Sequence, residues 1–577
     1  MNRHVTPALI AAAAVGALAA STLSASAADN GRGNANGVLN GYKHIVVIYE
    51  ENHSFDNLYG QWGAVNGQKV NGLSSAPPAR TVQVNQAGTP FTCLLQNDVN
   101  FTSPPLASTC TDATTATSFS SAFANAPFNI TDTVAPTDTT CPAPGVFAAN
   151  GVLKGTGLPG GCTEDLVHRY YQEQYQIDGG RMNRYVTGSD AVGLTMGHYD
   201  TTQLPIYQYL HSAGAPKYVV ADNFFQAAFG GSFLNHQWLI AARTPVWEGS
   251  AVSDGGTNDL HSAVGPDGMP KTYPLHTAPS YVRDNALTEW CSIPPALVAT
   301  IPAPPAGTTC GDYAVNTIQP TYQPYAPGTA DSRRLPPQHA ATIGDELDAQ
   351  GVDWSWYSGG WDNADGHTQG LGWTNGSTPG VCADPNHIAT SVWPNCPDKL
   401  FQFHHQPFNY FANYAPGTAA RAAHLQDEAY FLAAAQAGTL KPVSFVKPIG
   451  AENEHPGYAS ESSGSQHLVD LIRTILAGPD GKNTLIIVTY DEFGGQWDHV
   501  SPPTGAGVAD IWGPGTRIPA LVVSAKLTKS GVDHTPYDTT SILATIEKRF
   551  GLPPLTSRDA AVSSLIPALK SHGGKAH

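Results

Sequence analysis

Two neighbouring carboxylates, Asp491 and Glu492, close the apolar run Thr484-Leu485-Ile486-Ile487-Val488-Thr489-Tyr490, and Gly494-Gly495 and Asp498-His499 follow within a few residues. Adjacent carboxylates repel unless a positive charge sits between them and further ligands, and a hard divalent cation with oxygen donors supplies that charge. A second apolar run, Tyr42 to Tyr49, ends the same way in Glu50-Glu51-Asn52-His53-Ser54-Phe55-Asp56. A third, Pro216 to Ala221, leads through Gly230-Gly231 into Ser232 and then a helical apolar pattern. This predicts a serine hydroxyl at a helix N-terminus, where anions such as phosphate are favoured. Each feature also has a plainer reading: a solvated acidic strand end, or a serine that only caps its helix.

The runs that carry these groups are β-branched, apolar and of strand length, which suits strands buried on both faces of a parallel sheet. In open α/β sheets ligands collect at the carboxyl ends of the strands, where the acids and the serine stand. Further along, the pattern predicts helices over Glu164–Val186, Ala341–Gln350, Ala419–Ala437, Gln466–Ala477 and Thr540–Phe550. Strands are predicted over Asp353–Tyr357, Val443–Pro448 and Arg517–Ser524. Alternating strands and helices indicate an α/β fold with a mainly parallel central sheet flanked by helices. A single domain over 41–556 is expected, with disulfide-stapled loop insertions at about 65–161, 246–334 and 362–400 and a C-terminal tail at 557–577.

Of the 577 residues only 13% are charged, and the formal net charge is −17. That balance argues against nucleic acid and against stable association with anionic membranes, both of which need clustered Lys and Arg. Met1 to Ala27 reads as a signal peptide: Arg3-His4, an apolar stretch from Ala8 to Ala20 too short to span a membrane, and the small residues Ala25-Ser26-Ala27. Residues 28–40, rich in Gly and Asn, are expected to be disordered. Eight cysteines, without zinc-ligand spacing, fall as four local pairs and fit an oxidising compartment, secreted or periplasmic. The expected disulfides are Cys93 to Cys110, Cys141 to Cys162, Cys291 to Cys310 and Cys382 to Cys396.

Taken together, Glu51-Asn52-His53-Ser54-Phe55-Asp56, Gly231-Ser232 and Thr489-Tyr490-Asp491-Glu492-Phe493-Gly494-Gly495 with Asp498-His499-Val500 resemble the phosphoesterase family of bacterial acid phosphatases and phospholipases C, within the alkaline phosphatase superfamily. The resemblance runs from about Tyr42 to Leu552 and implies an alkaline phosphatase-like core. It implies a phosphoric-ester hydrolase with Ser232 as nucleophile, acting on a small phosphate-ester substrate. It also implies one divalent metal held by Glu51, Asn52, Ser232, Asp491 and Glu492, with Glu51 preferred to Glu50 because the family motif sets Glu directly before Asn. The donors are all oxygens, which favours calcium, magnesium or manganese over zinc. Serine at position 232 leans toward the acid phosphatase branch, since many phospholipases C carry Thr there; a diester-cleaving phospholipase C and an inactive exported binding protein are the alternatives. By the same resemblance His168, His404, His405 and His455 surround the phosphate as charge neutralisers or as the acid for the leaving group. The sequence does not single out one of them. His236, four residues after Ser232, is a further candidate, Asp498-His499 is expected to support the site from behind, and Thr195 is the alternative nucleophile.

Overall fold

The computed structural model describes residues 37–95, 165–247, 313–505 and 507–573, with short stretches between 108 and 132 and at 263–264, 275–276 and 282–283. The expected signal segment, most of the 28–40 linker and the expected pairs Cys141 to Cys162 and Cys291 to Cys310 lie outside the described residues. The other two expected disulfides, Cys93 to Cys110 and Cys382 to Cys396, are formed.

Eight strands build the main sheet: β1 (His44–Glu50), β2 (Tyr218–Ala221), β3 (Trp354–Ser358), β4 (Leu425–Asp427), β5 (Val443–Lys447), β6 (Thr484–Tyr490), β7 (Ala520–Val523) and β8 (Gly531–Asp533). Their spatial order is β4-β3-β5-β1-β6-β7-β2-β8. β7 runs antiparallel to both of its neighbours, and every other pairing in the sheet is parallel. The continuous apolar runs lie at the centre: every residue of β6 is buried, as is all of β1 beyond His44. Five helices matter for the site: α1 (Tyr170–Ile177), α2 (Ser232–Ala241), α3 (Glu428–Ala437), α4 (Glu461–Ala477) and α5 (Thr540–Phe550). α3 and α4 pack on each other and on β3, β5 and β6, while α2 packs with α5.

Several elements differ from their expected bounds. The stretch Ala419–Ala437 is not one helix: Ala419–His424 ends where Leu425–Asp427 pairs with Trp356–Ser358 as the edge strand, and Asp427 then caps α3 by accepting from Ala429 N at 3.0 Å. A side-chain cap and a strand partner outweigh the good helical propensity of that run. The helix expected over Glu164–Val186 shrinks to α1, because Asp178 adopts a left-handed conformation and Gly179-Gly180 follow it. α4 begins earlier than expected, capped by the Ser460 hydroxyl. Residues 557–572, expected as a tail, form the short helices Ser557–Ala561 and Ile566–His572, with Leu565, Ala568 and Leu569 buried in the core.

Candidate active site

Register decides which acids meet. In the β1–β6 pairing Glu50 stands opposite Tyr490, so the next residues, Glu51 and Asp491, emerge side by side. In the β1–β5 pairing Ile48 stands opposite Val446, which sets Lys447 beside Tyr49. Side chains alternate along a strand and paired residues share a face, so Tyr49, Lys447, Glu51 and Asp491 point to one side and Glu50 and Tyr490 to the other. The first side is covered by α2, whose Asn235 carbonyl accepts from Tyr49 Oη at 3.4 Å and whose His236 ring packs on Tyr49 with centroids 5.0 Å apart. On the far side, Tyr490 Oη donates to Glu454, and Glu50 is influenced by Glu454, His467 and Glu428. The two adjacent glutamates are thus separated by the thickness of the sheet.

Ser232 is the first residue of α2, and Gly231 takes the cap position, so the hydroxyl is not spent on capping the helix. It donates to Glu51 Oε2 at 3.3 Å and is 2% exposed. The turn before it is held from inside the helix: Asn235 Oδ1 accepts from Ala228 N at 3.0 Å, and its Nδ2 donates to Ala228 O at 3.0 Å and to Gly230 O at 3.3 Å. Gly230 has φ of +92°, and a Cβ there would lie 2.8 Å from Tyr170 N, so glycine is required twice over.

Asn52 is also left-handed, with φ of +57°, a conformation that Asn tolerates better than most residues. Its backbone N–H donates to Asp491 Oδ1 at 3.1 Å, and its Nδ2 donates to His455 Nε2 at 3.0 Å, while His455 Nδ1–H donates to Pro456 O at 2.8 Å. That chain fixes the amide orientation and leaves Asn52 Oδ1 facing away from the histidine. Glu492 Oε2 accepts from Gly494 N at 2.5 Å, and Oε1 lies 3.2 Å from His168 Nε2. His168 Nδ1–H donates to Leu166 O at 2.5 Å. His405 Nε2 is 3.2 Å from Glu51 Oε1; its ring stacks on His236 with centroids 4.8 Å apart and meets His404 at 4.4 Å. His236 Nδ1–H donates to Ser232 O at 2.7 Å, and its Nε2 lies 3.7 Å from Glu51 Oε1. All the expected site residues therefore lie in one contiguous buried cluster.

Among the described residues, one buried oxygen from each of Glu51, Asn52, Asp491 and Glu492 makes no hydrogen bond: Oε1, Oδ1, Oδ2 and Oε1 in turn. Glu51 Oε1 is instead ion-paired with Lys447 Nζ. Three carboxylates face one ammonium, a formal excess of two negative charges that a single divalent cation would balance. Burial, and then the Asp491 charge, hold Glu51 and Glu492 well above the usual carboxylate range, which is the cost of crowding acids without such an ion. The residues present therefore fit a hard divalent ion. The imidazoles respond oppositely: burial lowers His168, His236, His405 and His455, and it lowers His404 to about 3, with Lys447 adding to the effect on His404.

The sequence reading passed over Lys447, which is buried and donates to Tyr49 O at 2.9 Å besides pairing with Glu51. Its signal was present, a lysine closing the apolar strand Val443-Ser444-Phe445-Val446. Asp165, half-buried 3.8 Å from His168 Nδ1, was also missed. Asp498 and His499 stand behind the site in an ion-pair knot: Arg517 Nε donates to Asp498 Oδ1 at 3.0 Å, Arg517 Nη2 to Asp56 Oδ1 at 3.1 Å, and His499 Nδ1 lies 2.5 Å from Asp56 Oδ2. The guanidinium already supplies the positive charge there. Thr195 Oγ1 donates to Gly495 O at 2.5 Å and so braces the Gly494-Gly495 turn rather than facing Glu51.

The sequence model of the Phosphoesterase family matches residues 146–553. Phospholipase C B of Mycobacterium tuberculosis is 34% identical over 159 residues, covering 23% of this chain and 30% of that protein; the match thus spans less than a third of the relative's length. Phospholipase C A of the same organism is 22% identical over 555 residues, 91% of this chain and 75% of the relative. Non-specific phospholipase C1 of Arabidopsis thaliana is 32% identical over 133 residues, 19% of this chain and 25% of the relative. A solved structure of a protein in the alkaline phosphatase superfamily from Vibrio parahaemolyticus overlaps with a TM-score of 0.21 at 15% identity, over 38% of this chain and 50% of that one. That overlap is too small to define the fold, which rests on the strand order above.

Proposed function

The chain belongs to the phosphoesterase family, and on that premise we propose that it is an exported, metal-dependent phosphoric-ester hydrolase working through a phosphoserine at Ser232. The observation that carries this reading is the gathering of buried oxygens from Glu51, Asn52, Asp491 and Glu492, those of Asn52 and Asp491 without a hydrogen bond, beside a serine hydroxyl that its helix leaves free. These residues and Ser232 would hold the ion. Calcium, magnesium or manganese suits the donors, and when bound it would neutralise phosphate oxygens and acidify the serine hydroxyl.

In the proposed reaction the Ser232 Oγ to phosphorus bond forms as the ester bond breaks, with Glu51 Oε2 the nearest acceptor for the hydroxyl proton. The departing oxygen takes a proton from an imidazolium. Both ring nitrogens of His455 are committed, to Asn52 and Pro456, and the Nε2 atoms of His236 and His405 face Glu51. His168 Nε2 likewise faces Glu492, at 3.2 Å, and its Nδ1 is bonded to Leu166 O, which leaves His404 as the proton source. Burial lowers His404 to about 3, and an incoming phosphate anion would push it back up by favouring the charged ring. Water then cleaves the Oγ to phosphorus bond and restores the serine.

Serine at 232 favours phosphate monoesters, as in the acid phosphatase branch. The matched relatives bear the name phospholipase C, which favours diesters with equal weight. Monoesters, diesters and phosphatidylcholine assayed with and without chelator separate the two. Acid quench during turnover should trap phosphate on the peptide holding Gly230-Gly231-Ser232, and Ser232→Ala should lose ~100-fold or more in rate with little loss of stability, because the hydroxyl does not cap α2. A Ser232→Ala protein that keeps most of its activity refutes the covalent route. Export is supported by the Met1 to Ala27 segment and by the two disulfides.

A further inference from the structure

We infer that Glu173 is a positioning residue that locks the Ser232 turn to the Asp491-Glu492 turn. The inference rests on Ser232 being the nucleophile. Glu173 lies in α1 and is fully buried. Its Oε2 accepts from Gly230 N at 2.6 Å and from Gln226 Nε2 at 2.9 Å; its Oε1 accepts from Thr516 N at 2.6 Å and Thr516 Oγ1 at 2.8 Å. Four donors converge on the carboxylate, two of them backbone N–H groups that no side-chain change elsewhere can replace. Burial raises the carboxyl to about 8 from the usual 4.5, and the Thr516 and Gly230 donors oppose that rise.

What these bonds join gives Glu173 its role. Gly230 stands two residues before Ser232, and its carbonyl is held in turn by Gln226 Nε2 at 3.1 Å and by Asn235 Nδ2 at 3.3 Å. Gln226 Oε1 accepts from Phe493 N at 3.0 Å, directly after Glu492. Thr516 precedes Arg517, the hub of the knot with Asp56 and Asp498. One carboxylate therefore links the nucleophile turn, the turn carrying the expected ligands Asp491 and Glu492, and the knot behind them. The fit is close: a Cβ on Gly515 would lie 2.4 Å from Glu173 Oε1. Glu173 touches none of the reacting atoms, so its effect is on where Ser232 sits.

The test uses the full chain with manganese and p-nitrophenyl phosphate. Glu173→Gln keeps the volume but turns an amide NH2 toward a backbone N–H donor. A displacement of the nucleophile by ~1 Å costs about 100-fold, so kcat should fall ~100-fold while KM stays within about threefold and the melting temperature holds. Glu173→Asp, which keeps the charge with a shorter reach, should recover about tenfold of the loss. It also tests the inference should the glutamine variant fail to fold, in which case the aspartate variant must fold and show a kcat below wild type with KM unchanged. A kcat of Glu173→Gln near wild type, or a loss that follows the melting temperature down, overturns the inference. Ser232→Ala is run beside them: if it stays active the phosphoserine reading itself fails, whereas an inactive Ser232→Ala with a fully active Glu173→Gln removes only the role of Glu173.

Discussion

Replacing Lys447 by Met removes the ammonium that faces Glu51 and keeps the side-chain volume nearly constant. The ammonium is 1% exposed and Glu51 wholly buried, so neither charge has water to turn to. Removing one partner of such a pair costs about 3–5 kcal/mol, because it strands the other charge. The carbonyls of Tyr49 and Glu50 also lose the Nζ donor, at 2.9 and 3.5 Å. With unfolding entropy of about 2.1 cal/mol/K per residue, the 577-residue chain carries about 1.2 kcal/mol/K, so that loss should lower the melting temperature by ~2.5–4 °C. Calorimetry in chelator measures it. Under saturating manganese the deficit should shrink, because the ion places positive charge beside the same carboxylates. The gain in melting temperature on adding manganese should therefore be larger for Lys447→Met than for wild type. Equal melting in chelator, or a deficit that manganese leaves unchanged, refutes the idea that Lys447 and the ion share one charge cluster.

Gly494→Ala should cost about 1–2 kcal/mol for a left-handed alanine, since φ there is +61°. Its Cβ would also fall 2.2 Å from Asn52 O, displacing Asn52; a kcat within threefold of wild type would show that this contact does not position the site. His467 carries a pH dependence far from the chemistry. Burial, which lowers its pKa, is outweighed by Glu428 at 2.7 Å, and the ring is raised to about 9 from the usual 6.5. A raised folded-state pKa stabilises fully below about 6.5 and loses that contribution as pH rises through about 9. The melting-temperature advantage of wild type over His467→Gln should therefore be present at pH 6 and closed by pH 10, and an advantage that persists unchanged at pH 10 contradicts the assignment.

Residue type and local pattern were enough to place the apolar runs of β1, β5 and β6 and the acids at their ends, because a strand buried on both faces must be continuously apolar and its polar groups can only appear where it stops. Two local disulfides followed from spacing for a similar reason: the loop between the cysteines is short. What pattern could not supply was partnership across the sheet. The register opposing Glu50 to Tyr490 is set by contacts between segments more than 400 positions apart, and it brings Asp491 to the face of Glu51, while the pleat alone puts Glu50 on the other. Lys447 looked like the end of any strand until the β1–β5 register set it against Glu51, and Glu173 looked like one polar residue in a helix whose length had been overestimated. The edge strand Leu425–Asp427 was hidden in a helix-forming run because its strand partner, Trp356–Ser358, lies some seventy positions away. The sequence therefore determined which acids, amide and serine stand at the strand ends, whereas the order and register of the strands decided which of them share a face, since a one-residue shift in pairing moves every side chain to the opposite side of the sheet.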